Sequence, residues 1–130
     1  MRAARILMTL AVLLAAVPWA SAQARDGGPD QEIRREGTCG KGASSRLRVR
    51  ARDGEIEVRL DVRSSAARAR WRVALVHERR VVWRATRTSS SSGRISARRT
   101  IPDFEGADQI RISASGPRGV VCRSTVTVPG

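Results

Sequence analysis

The chain has 130 residues, with 25 Lys plus Arg against 12 Asp plus Glu, a formal charge of +13, one histidine, two cysteines and no tyrosine. That length suits one modest core and not two. With a single histidine and two cysteines as the whole supply of soft ligands, no zinc centre is expected, and at most one centre for triad or acid–base chemistry.

Residues 1–22 read as a signal peptide. Arg2 and Arg5 make a cationic start, residues 6–17 are uncharged and rich in Leu, Ala and Val, and Ala20-Ser21-Ala22 is a small-x-small cleavage signal. Arg2 and Arg5 would leave with the leader, which takes the mature charge from +13 to +11. No second apolar run follows, so the mature chain is expected to have no membrane span and to be secreted or held at the cell envelope. In that oxidising compartment Cys39 and Cys122 are expected to pair with each other. Residues 23–32, with Arg25, Asp26, Gly27, Gly28, Pro29 and Asp30, have no apolar periodicity and are expected to be a flexible mature N-terminus.

From residue 33 to 130 the pattern is short alternating segments separated by Gly, Ser, Asp or Pro, which predicts an all-β domain. Residues 33–39 form a first strand, and 46–63 a hairpin. Leu47, Val49 and Ala51 alternate with arginines before Asp53-Gly54, and Ile56, Val58, Leu60 and Val62 alternate with polar residues after it. Asp-Gly favours a two-residue type I′ turn, which sets Arg52 opposite Glu55, Arg50 opposite Glu57, Arg46 opposite Asp61 and Val49 opposite Val58. Arg48 and Arg59 alone meet as like charges. Residues 69–77 and 80–88 make a second hairpin, with Trp71, Val73 and Leu75 on one face. A two-residue turn would put Val82 opposite Leu75. A three-residue turn with a bulge would put Val81 there and both tryptophans inside, which is the favoured arrangement because a buried indole contributes more apolar area than an Arg stem. Strands at 94–101, 109–115 and 119–128, with the turn Gly116-Pro117-Arg118-Gly119 between the last two, bring the count to seven or eight. That number in about one hundred residues predicts an antiparallel sandwich of immunoglobulin-like or fibronectin-like type. Its disulfide would tie the first strand to the last.

The leader, Cys39, the Arg/aliphatic hairpin, the Trp71-x-Val73-x-Leu75 strand and the late Cys122 together resemble small secreted bacterial immunoglobulin-like β-sandwich proteins of unassigned function. The resemblance implies the fold and brings no catalytic or binding residue with it. The cysteines lie near the domain's ends, whereas true immunoglobulin domains place a tryptophan between cysteines of two interior strands.

His77 falls at a hairpin end and reads as a polar turn residue. Asp103, Glu105 and Asp108 crowd one loop but lack the Asp-x-Asp-x-Asp-Gly spacing of a calcium site, so they read as a solvated acidic loop, with Phe104 as a plug at the end of the sandwich. No cofactor or metal is expected, and no enzymatic activity. Trp71, Trp83 and Phe104 are too few for a base-stacking platform, which argues against specific nucleic-acid binding. The charge points instead to anionic partners. Arg46, Arg48, Arg50, Arg59, Arg63, Arg70 and Arg72 are the candidate polyanion-binding row, able to grip carboxylates or phosphates bidentately. Lys41 is the only lysine, so the arginine excess also fits a GC-rich genome. The expected function is a non-enzymatic binding or structural module contacting an anionic envelope polymer or protein. The alternative is a protease inhibitor or small enzyme that uses end loops such as 89–92 or 103–108.

Overall fold

A computed structural model describes residues 31–130. The leader at 1–22 and most of the 23–32 segment lie outside the described residues. Eight antiparallel strands follow one another: β1 (Gln31–Cys39), β2 (Ser44–Arg52), β3 (Glu55–Arg63), β4 (Arg70–His77), β5 (Arg80–Thr88), β6 (Arg94–Pro102), β7 (Asp108–Ser115) and β8 (Val121–Val128). Gln31 and Glu32, assigned from the sequence to the flexible tail, already pair with β2.

The strands form one sheet in the order β5-β4-β7-β8-β1-β2-β3-β6. The sheet curls until its two edges, β5 and β6, approach each other. The architecture is all-β as expected, but barrel-like: instead of two separately bonded layers, hydrogen bonding runs continuously through β1. Gln31–Gly37 of that strand pair with β2, and Thr38 and Cys39 pair with β8. Gly37 stands at the crossover, where an added Cβ would lie 2.0 Å from Ser45 Oγ and 2.5 Å from Ser124 Oγ, so any larger residue would have to push both serine side chains aside. Immediately beyond it, the Cys39–Cys122 disulfide links directly opposite residues of β1 and β8.

The β2–β3 hairpin takes the register that its turn, apolar and charge patterns jointly specify, from Arg52↔Glu55 to Arg46↔Asp61. Asp53 and Gly54 both have positive φ, as the type I′ turn requires. Leu47, Val49, Ile56, Val58, Leu60 and Val62 are buried, and face Trp71, Val73, Leu75, Ile110, Ile112 and Val126 in a single core. Trp71 is wholly buried, with Gly116 pressed on its indole: a Cβ there would come within 2.6 Å of the ring.

The β4–β5 hairpin differs from both expected pairings. It has a two-residue turn, Glu78-Arg79, and Val82 is bulged out, so that Val76 meets Val81 and Leu75 meets Trp83. Both tryptophans do lie on the inner side. Trp83 is only half-buried because β5 is an edge strand, and its ring is flanked by the guanidinium groups of Arg87 at 5.6 Å and of Arg99, across the seam on β6, at 5.9 Å. Of the two, only the Arg99 contact crosses the seam, where β5 and β6 share no backbone ladder.

Candidate functional site

Register sorts the arginines onto two outer faces of different character. On the face built by β1, β2, β3 and β6, Arg34, Arg48, Arg59 and Arg98 are directly opposite one another and form a transverse row across four strands. Rows of mixed sign flank it. Arg34 and Arg48 lie 3.3 and 3.7 Å from Glu32, Arg59 is 3.2 Å from Asp61, Arg98 is 3.8 Å from Glu57, and Arg46 is 3.1 Å from Glu36. Exposed pairs like these contribute about 0.2–1 kcal/mol each. They intersperse five carboxylates among the nine outward arginines of this face, so that the positive charge is interrupted rather than removed.

The face built by β5, β4, β7 and β8 is different. Asp108 is the only carboxylate in those four strands, and it is buried. The outward positions are Arg70, Arg72, Ala74 and Val76 on β4, Arg84, Thr86 and Thr88 on β5, Gln109, Arg111, Ser113 and Ser115 on β7, and Val121, Arg123, Thr125 and Thr127 on β8. Among the described residues, Arg72, Arg84, Arg111 and Arg123 have no carboxylate partner. Arg84, Ala74, Ser113 and Arg123 share one transverse row, which sets the two arginines three strand spacings, about 14 Å, apart over a floor of small residues. Beside that floor a concavity of about 420 Å³ is lined by Arg72, Arg84, Thr86, Ser113 and Ser115. The guanidinium groups of Arg72 and Arg84 and the hydroxyls of Thr86, Ser113 and Ser115 line this concavity with no carboxylate among them, a set that can grip phosphate, sulfate or carboxylate groups.

The seven arginines singled out from the sequence therefore do not form one site. Arg46, Arg48, Arg50, Arg59 and Arg63 belong to the mixed face, and Arg70 and Arg72 to the acid-free one. Arg84, Arg111 and Arg123 were not singled out, because their neighbours come from strands distant in sequence. Their signal was the absence of acids from residues 70–77, 80–88 and 121–128.

A second cluster lies at one end of the barrel. His77, read as a polar turn residue, is 2 % exposed and closes β4 on its inner side. Its Nε2 is 2.6 Å from Oδ1 of Asp108, the first residue of β7, which is also buried. Part of the supposedly solvated acidic loop is thus inside. Phe104 stacks on the imidazole with centroids 4.6 Å apart and planes 6° from parallel, and its backbone N–H donates to Asp108 Oδ1 at 3.3 Å. It covers the histidine with one face while staying half-exposed on the other. A hydrogen bond to Asp108 holds the Asp103 carboxyl above the usual range, helped by burial and by the Asp108 charge and opposed by His77.

Glu78 and Arg79 turn the chain with φ of 49° and 66°, left-handed conformations that cost non-glycine residues about 1–2 kcal/mol each. Glu78 is clamped to β7 at both ends, its N–H donating to Gln109 O and its Oε1 accepting from Gln109 N–H at 2.6 Å.

The 89–92 loop is structural at its start. Ser89 is buried, donates from Oγ to Ala66 O at 2.6 Å and accepts from Ala69 N–H at 2.8 Å. The chain matches no family model, and no curated protein or solved structure is measurably similar to it.

Proposed function

We propose that this chain is an exported, non-enzymatic binding module of the cell envelope, akin to the small secreted immunoglobulin-like proteins, and that it holds an anionic polymer or protein on the outer face of β5, β4, β7 and β8. One observation carries the reading: the outward carboxylates of the strands all lie on the opposite face, leaving Arg72, Arg84, Arg111 and Arg123 uncompensated. Such a surface concentrates anions and steers their approach. None of its outward positions is aromatic. Base stacking has no platform there, so a phosphate- or carboxylate-bearing backbone fits better than single-stranded nucleic acid. The Cys39–Cys122 bond supports an oxidising location.

Binding to polyphosphate, to polygalacturonate and to a single-stranded oligonucleotide, each titrated with NaCl, tests the proposal. Affinity for the two non-aromatic polymers should fall steeply and linearly on a log–log plot. A flat salt response, or retention of the oligonucleotide alone, would overturn it.

A further inference from the structure

We propose that His77, Glu78 and Asp108 bind a divalent cation of the zinc class where the β4–β5 turn meets the start of β7. The donor atoms of the three side chains lie within 4.8 Å of one another, although the residues are up to 31 positions apart in sequence. Independent of that grouping, the Asp108 carboxylate is buried, and its Oδ2 has no hydrogen-bond partner among the described residues other than the Asp103 carboxyl. An ionised oxygen cut off from water and from donors is costly. A cation held by His77 and Asp108 would supply the charge that this buried carboxylate lacks beyond its two Oδ1 contacts.

The donor set selects the metal. One imidazole nitrogen and two carboxylate oxygens suit zinc, which takes mixed N and O ligands at about 2.0–2.2 Å, whereas calcium needs six to eight oxygens. Tetrahedral ligands at that radius are about 3.3 Å apart. The present His77–Asp108 contact of 2.6 Å would therefore open slightly, and Glu78 would swing in, both by side-chain torsion. The Phe104 ring shields the imidazole, and Glu78 is the exposed member through which an ion would enter. Both cysteines are in the disulfide, so no thiolate competes.

His77 is the chain's only histidine, so imidazole ¹⁵N resonances of tag-free, disulfide-intact, chelator-treated protein report this site without assignment. Titration with ZnCl₂ should shift the Nε2 resonance and saturate at one equivalent. Glu78→Gln keeps an acceptor for Gln109 N–H and should fold normally while weakening zinc binding by about tenfold or more; Asp108→Asn should abolish it. Imidazole resonances that stay fixed at millimolar zinc, or a Glu78→Gln protein that binds as tightly as the parent, would overturn the proposal.

Discussion

Replacing both cysteines with alanine tests how the two halves of the barrel are joined. At the β1–β8 junction only Thr38↔Arg123 and Cys39↔Cys122 are paired, and at the other seam β5 and β6 share no ladder. The disulfide closes a loop with a sequence separation of 83. In the chain-entropy model, removing that constraint from the unfolded chain costs about 4.6 kcal/mol. Small domains are stable by about 5–15 kcal/mol in total, so the loss approaches the whole of a modest domain's stability. At about 4–8 °C per kcal/mol for a domain of this size, Tm should drop by about 20 °C or more. Urea titration followed by tryptophan fluorescence gives the free energy and slope directly. Cys39→Ala/Cys122→Ala should lower the midpoint sharply and raise m, because an uncrosslinked chain exposes more surface. A loss below about 1 kcal/mol would show that the halves are joined by something other than this bond.

Two further outcomes follow from local geometry. Gly116 has φ of −107°, which any residue adopts, so Gly116→Ala acts only through the clash of its Cβ with the Trp71 indole; it should cost about 1–3 kcal/mol and shift the tryptophan emission, as urea titration would show. Asp103 binds its proton more tightly in the folded than in the unfolded state, because the protonated form hydrogen-bonds Asp108. Its contribution to stability is therefore complete below the unfolded value near 3.8 and fades as pH rises through the raised folded value. Asp103→Asn, compared with the parent by thermal melts across acid pH in chelated buffer, should remove that decline; an unchanged pH profile would contradict the Asp103–Asp108 contact.

The parts of the fold legible in the sequence are those set by neighbours in the chain. The hairpin at 46–63 carried three agreeing signals, turn, apolar alternation and charge pairing, and its register follows them. The cysteine pairing was expected from there being two cysteines behind a leader-like start, and the two are joined. The barrel-like closure was not legible, because it depends on β1 changing partners at Gly37, a step with no local periodicity. The bulge at Val82 left no mark either: Val81-Val82 reads as ordinary strand. His77 looked like a turn residue because it is at a hairpin end, and only the pairing of β4 with β7 brings Asp108 beside it. The charge faces stood between these cases. Alternation told which arginines point outward, but whether an acid stands next to them is decided by strand order, which joins β5, β4, β7 and β8 into one acid-free surface.

The decisive measurement compares two quadruple variants in polyphosphate binding as a function of NaCl. Arg72→Ser/Arg84→Ser/Arg111→Ser/Arg123→Ser should lose most of the affinity and reduce the log–log salt slope by about three to four, roughly one for each phosphate contact removed. Arg46→Ser/Arg48→Ser/Arg50→Ser/Arg63→Ser, which removes the same formal charge from the mixed face, should keep most of both. Equal losses in the two proteins would mean that net charge alone, and not the acid-free face, holds the anion.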